Sequence, residues 1–451
     1  MRRREFLFGS ALALAGARVA AWTIGESRSR WRAGTAVADI TPEPGIWMAG
    51  YAARTEPAQG TALPLSAKAL ALEDDAGRRA VLVTFDLLGV TAAMRARIAA
   101  ALERRAAIAP SALMLASSHT HSGPVVREQL FVAYDLDQAQ RERITAYTTW
   151  LEGTVVETAL KALAALEPCE LALGEARATF AANRRTAFLP TGPVDHAVPV
   201  LHVTGTNGQT RAVVFGYACH NTTLQAAMVR FHGDYAGVAQ RAIEAAHPGA
   251  VAFFVAGCGA DANPSPRGTL ELVEQHGTAL ATAVNGALTR TQPIGAGLAT
   301  SLEWVSLPFA PAPGEAHWRA RLDDNDVYVR RHAQLMLDRL AAGTFEKAHE
   351  EPIQVWRLGD WRLVALGGEV VVDYLLRIRR EHPGRLWVAG YANDVSCYVP
   401  SLRVLREGGY EGGGAMLYYG RPGPFDETVE ERIVGAVRRG LERCAAVPAS
   451  A

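Results

Sequence analysis

Residues 79–118 read RAVLVTFDLLGVTAAMRARIAAALERRAAIAPSALMLASS, and the order of patterns in this stretch decides the fold. Residues 79–90 are an apolar run rich in β-branched side chains, which marks a buried strand. Residues 92–106 repeat apolar positions at helical spacing, and residues 111–118 return to a strand pattern. Strand, helix, strand implies a parallel pair, because parallel neighbours need a crossover long enough to hold a helix. Asp86 interrupts the first strand, and a carboxylate there must be paired or hydrogen-bonded. It either orients a ligand histidine from behind or caps a neighbouring helix or loop.

The alternation continues outward. Residues 138–166 read as a long amphipathic helix, and residues 198–220 as two strands around a Thr206-Asn207-Gly208 turn. Helices are expected over 235–246, 271–289, 314–342, 370–381 and 426–444. Strands are expected over 250–256 and 385–392, with a hairpin over 351–366 turning at Gly359-Asp360. The prediction is an α/β fold with a mixed β-sheet core and flanking helices. There is no repeat and no long linker, so a single domain over 32–445 is expected.

The chain has 451 residues, 49% of them hydrophobic and 20% charged, enough apolar surface for one large core. Its net charge is zero and no basic patch interleaves with aromatics, which excludes a nucleic-acid partner. The start, MRRREFLFGSALALAGARVAAW, sets a twin-arginine pair before a short apolar run. A twin-arginine signal peptide over residues 1–21 is expected, with an exported, periplasmic or secreted product. Five cysteines include no CxxC pair, so neither a zinc ribbon nor a thioredoxin-type motif is present. An oxidising compartment permits disulfides, and the odd count leaves one thiol over within a chain.

Chemically useful residues stand just after apolar strands, where sites collect in α/β sheets. His119 and His121 follow LMLASS, and His220 follows AVVFGYAC. Asp261 and Asn263 follow AFFVAGCG, Glu369 follows WRLVALGG, and Tyr391, Asn393 and Tyr398 follow RLWVAG. In an extended segment residues i and i+2 face one side, so His119 and His121 can share a cleft. Imidazole is the commonest metal ligand, and a catalytic zinc takes three protein ligands plus water. A pair of strand-end histidines that only hydrogen-bond is the other reading. Gly257-Cys258-Gly259 lacks the lysine of a P-loop and reads as a tight turn. No GxSxG elbow is present, which argues against a serine hydrolase.

Taken in order, AVADITPEPGIWMAG (36–50), SSHTHSGP (117–124), ANRR (182–185), YACHNTTL (217–224), GDYAG (233–237), GADANP (259–264) and GGE (367–369) resemble the N-terminal catalytic domain of the neutral/alkaline, non-lysosomal ceramidase family. The resemblance implies a zinc amidohydrolase. By motif it makes His119, His220, Glu369 and Tyr398 (in SCYV) zinc ligands. It places His121, Arg184 and Tyr410 (in YEG) near the substrate carbonyl, with Arg185 as the rival to Arg184. His121 suits proton transfer, and Arg184 and Tyr410 suit oxyanion stabilisation. Asn263 stands at the position of the family's proposed nucleophilic serine and cannot perform that role. The expectation is also of a chain without the family's common C-terminal immunoglobulin-like domain, which argues against ceramide recognition at a membrane.

The expected function is therefore an exported zinc-dependent hydrolase of an amide or ester, with zinc-activated water as the attacking group and a small-molecule or lipid-like substrate. The rivals are a related metal-dependent enzyme acting on a lactone, sugar derivative or non-lipid amide, and a non-catalytic metal- or ligand-binding homologue.

Overall fold

The computed structural model describes residues 31–447; the expected signal peptide lies outside them. The opening stretch folds as its pattern predicts. Arg79–Phe85 and Leu113–Ser117 are parallel neighbours, joined through the helix Ala92–Ala106. Thr91 caps that helix by accepting the Met94 N–H.

These two strands end one edge of a large sheet. Its order is Val251–Ala256, Thr210–Tyr217, Ala197–Gly205, Glu167–Arg177, Trp31–Asp39, Ser66–Asp74, Arg79–Phe85, Leu113–Ser117. The pairs at the two edges are parallel and those between them antiparallel, so the sheet is mixed. A second sheet runs Leu298–Pro308, Ala348–Leu358, Trp361–Leu366, Leu386–Ala389, with its last pair parallel. Bridges from Ala116 to Ala392 and from Gly257 to Ala389 stitch the two sheets together.

Helix Gln138–Ala164 packs on the strands Trp31–Asp39 and Ser66–Asp74. The approach is close because residue 34 is glycine: a Cβ there would lie 2.2 Å from the Ala162 carbonyl oxygen. Helices Asp234–Ala246 and Leu270–Leu288 pack together, and Val429–Ala445 covers the second sheet. Among the described residues no helix is long and apolar enough to cross a membrane.

The single helix expected over 314–342 is interrupted. Glu315–Ala320 and Val327–Ala341 are separate, because Asp326 caps the second by accepting the Tyr328 N–H. Among the long strands, Trp31–Asp39, Ser66–Asp74, Glu167–Arg177 and Leu298–Pro308 carry no prediction. Cys219, Cys258, Cys397 and Cys444 are buried and form no disulfide.

Candidate functional site

The parallel strand pairs carry the polar residues to one place. His119 lies two residues beyond Leu113–Ser117, and His220 three beyond Thr210–Tyr217. Glu369 opens the short strand Glu369–Val370, which pairs in parallel with Tyr398–Val399 and sets Glu369 opposite Tyr398. His119 holds a left-handed backbone, φ 60°, a conformation unusual outside glycine and one that clusters at functional sites.

Hydrogen bonds fix the tautomers. His119 Nδ1 lies 2.7 Å from the Leu88 carbonyl, and His220 Nδ1 lies 2.9 Å from the Gly259 carbonyl. A carbonyl only accepts, so each Nδ1 donates and each Nε2 presents a lone pair. Both nitrogens stand beside one atom: Glu369 Oε2 is 3.1 Å from His119 Nε2 and 3.0 Å from His220 Nε2. That oxygen is buried and makes no hydrogen bond. The Tyr398 hydroxyl stands 3.1 Å from His220 Nε2. Two imidazole nitrogens and a hydrogen-bond-free carboxylate oxygen gathered in a buried space call for a cation. Two imidazoles, a carboxylate and a phenol oxygen form a donor set that fits zinc.

Burial first, and then the Arg184 charge, pushes His220 down to about 4. Burial drives the Tyr398 hydroxyl well above the usual phenol range against the pull of Arg184. The Tyr419 hydroxyl donates to Glu369 Oε1 and fixes the carboxylate. Tyr391 packs its ring 4.4 Å from that of His119.

His121 Nε2 lies 3.2 Å from His119 Nε2, and its Nδ1 is buried without a partner. The nitrogens of His119, His121 and His220 lie within 4.8 Å of one another, so His121 also stands within reach of a metal. Burial, then His119 and His220, pushes its pKa well below the usual value, leaving a neutral acceptor. Gly50 makes room for it. Residue 50 has φ +98°, and a Cβ there would stand 2.5 Å from the His121 ring.

Of the two neighbouring arginines, Arg184 reaches the centre. It donates to the Tyr398 hydroxyl at 2.9 Å, to Glu411 at 2.7 Å and to Asn263 Oδ1 at 3.4 Å. Arg185 is buried against Glu411 and Glu407 and buttresses its neighbour. Burial opposes the Arg184 charge, but Tyr398 and Glu411 more than offset it and keep the group well above the usual guanidinium range. Asn263 also lies 3.4 Å from the Thr222 hydroxyl, which donates to Oδ1. Tyr410 is 46% exposed and sets its ring 5.2 Å from that of Tyr398.

Three further polar residues stand apart from this cluster. Asp261 fastens the backbone, accepting from Val372 N–H and the Asn183 amide. Asn393 accepts from Arg95 and the Leu115 N–H. Asp86 touches no histidine: it accepts from Ser66 and Gln240, so the loop-fastening reading holds. Gly257-Cys258-Gly259 is a turn whose last carbonyl orients His220. Tyr419 escapes sequence reasoning, and its only signal was the aromatic pair Tyr418-Tyr419 before Gly420.

The centre opens into a cavity of two lobes that share Gly50, Tyr51, His121, Tyr398 and Tyr410. One lobe, about 350 Å³, is lined by Leu88, Tyr134, Tyr328, Tyr418 and Tyr419. The other, about 530 Å³, is lined by Arg184, Arg185, Arg267, Thr222, Asn263 and Phe188.

The family model described as neutral/alkaline non-lysosomal ceramidase, N-terminal, matches residues 31–265. A solved structure described as ceramidase complexed with C2 is similar to this chain at 20% identity and TM-score 0.74, covering 94% of this chain and 76% of its own. Neutral ceramidase from Pseudomonas aeruginosa is similar at 20% identity and TM-score 0.72, with the same coverage. At that identity the likeness is one of fold. No curated protein matches the chain by sequence.

Proposed function

Because the chain belongs to the neutral/alkaline non-lysosomal ceramidase family, a family of amide-bond hydrolases, we propose that it is a zinc-dependent hydrolase of amide or ester bonds that uses water as its nucleophile. The observation that carries this reading is the gathering of His119 Nε2, His220 Nε2 and the unpartnered Oε2 of Glu369 within about 3 Å in a buried space. Bound by His119, His220, Glu369 and Tyr398, zinc would supply a Lewis acid and a water acidified to near-neutral pKa.

The protein's own groups do the rest. His121, neutral and flanking His119, accepts the proton of the attacking water and returns it to the leaving nitrogen or oxygen. Arg184 stays cationic and donates toward the developing oxyanion, with the Tyr410 hydroxyl as second donor. Asn263 offers no nucleophile; its Oδ1 steadies Arg184 and Thr222. Tyr419 holds Glu369 in register.

We place the scissile bond at the junction of the lobes, a reading supported by His121, Tyr398 and Tyr410 lining both. The acyl part then lies in the tyrosine-lined lobe and a polar amine or alcohol part in the arginine-lined lobe. Lobes of this size suit compact groups rather than long chains. The pattern over residues 1–21 supports export, which comparing the location of the full chain with that of a chain lacking those residues would test.

Turnover of a series of N-acyl amides and esters by zinc-loaded protein tests the reading. Metal-dependent hydrolysis that falls as the acyl chain lengthens is expected. No turnover across the series would overturn the hydrolase reading. Rising kcat/KM with long chains would overturn the compact substrate.

A further inference from the structure

A second buried cluster lies behind the centre, outside the cavity. His349 and Glu351 alternate along the strand Ala348–Leu358 and share one face. His349 Nε2 is 3.1 Å from Glu351 Oε2 and 3.9 Å from Asp394 Oδ2. The ligand atoms of His349, Glu351 and Cys397 fall within 4.8 Å of one another. Glu351 is fully buried, yet its Oε1 has no hydrogen-bond partner.

We propose that His349, Glu351, Asp394 and Cys397 form a second, closed site for a divalent, zinc-like cation. Ligand atoms ~2.0–2.3 Å from a tetrahedral ion lie about 3.3–3.8 Å from one another, close to the spacing here. One nitrogen, two carboxylate oxygens and one sulfur form a set that favours zinc over calcium or magnesium. The charge balance agrees. The nearest cation, Arg421, is engaged by Glu346 and by the Ser396 carbonyl. Burial, then Asp394, pushes Glu351 well up; burial lifts Asp394 to about 6 and lowers His349 to about 3. The two raised carboxyls would ionise readily only with a cation beside them. When the ion binds, the Cys397 thiol proton and the proton shared between His349 Nε2 and Glu351 Oε2 pass to solvent, and Cys397 ligates as thiolate.

Four protein ligands leave no place for water, so the ion is structural. It braces the first centre from behind. Cys397 precedes Tyr398, and Glu351 Oε1 lies against the Gly367-Gly368 pair that leads into Glu369, 2.8 Å from where a Gly367 Cβ would stand.

Metal analysis of the full chain, with the cobalt-substituted protein read by absorption, tests this site. The first centre has no sulfur, so a thiolate-to-cobalt charge-transfer band reports Cys397 alone. Two ions per chain and that band are expected in the wild type. Cys397→Ser should lose the band and one ion, while His119→Ala should lose one ion and keep the band. A wild-type chain without the thiolate band overturns the proposal whether or not the variants fold, and so does a band that survives Cys397→Ser.

Discussion

Arg184 and Arg185 are adjacent in sequence and opposite in role. Arg184 meets the Tyr398 hydroxyl, whereas Arg185 is buried between two glutamates. Arg184→Ala is expected to lower kcat by about 10²–10³-fold, the usual loss for one oxyanion donor. Arg185→Ala should instead cost about 3–5 kcal/mol of stability, because Glu411 and Glu407 lose a buried partner. Steady-state kinetics and denaturant melts on the two variants separate these outcomes. Sequence reasoning reached His119, His121, His220, Glu369 and Tyr398 because each follows a recognisable strand or motif. It could not separate the arginines, since ANRR has no period to say which side chain turns inward. Tyr419 stayed hidden because it leaves an irregular turn after residues 414–417 and meets Glu369 fifty residues away in sequence.

At the scale of elements, the parallel pairs at the sheet edges place His119 and His220, and the two-residue pair Glu369–Val370 with Tyr398–Val399 places the other two acceptors. The central βαβ pattern was legible because its strands are apolar and β-branched. Ser66–Asp74, SAKALALED, was not, because alternating alanine and leucine suits a helix as well as a strand. Glu167–Arg177 carries charges on its exposed positions and breaks the expected apolar run. The interruption of 314–342 rests on a local aspartate cap, which competes with helix continuation. The turn at Gly50 belongs to this scale too. Gly50→Ala combines a left-handed φ with a clash on His121, so it should cost about 1–3 kcal/mol and lower kcat together. Chemical denaturation alongside kinetics checks both parts, and an unchanged kcat would mean His121 is not where the reaction occurs.

For the whole molecule, buried neutral histidines tie stability to pH. Burial holds His332 down to about 4 from its ordinary 6.5, and its Nε2 donates to the Arg421 carbonyl. Between those values the unfolded chain binds a proton that the folded chain refuses. Stability is therefore full above pH 6.5 and falls as pH drops toward 4. His332→Gln should flatten part of that fall in urea titrations at a series of pH values, and an unchanged slope would remove His332 from the account. The family resemblance was legible from ordered motifs spread over the chain. The two-lobed cavity was not, because Tyr328, Tyr418 and Arg267 join it only through folding.

The proposed hydrolysis depends on a metal held by His119, His220, Glu369 and Tyr398. Its most direct test is turnover of a short-chain N-acyl amide by chelated protein, before and after added zinc, with Glu369→Gln alongside. Activity should be lost on chelation, restored by zinc, and absent from Glu369→Gln under both conditions. Chelated protein or Glu369→Gln working at the wild-type rate would contradict it.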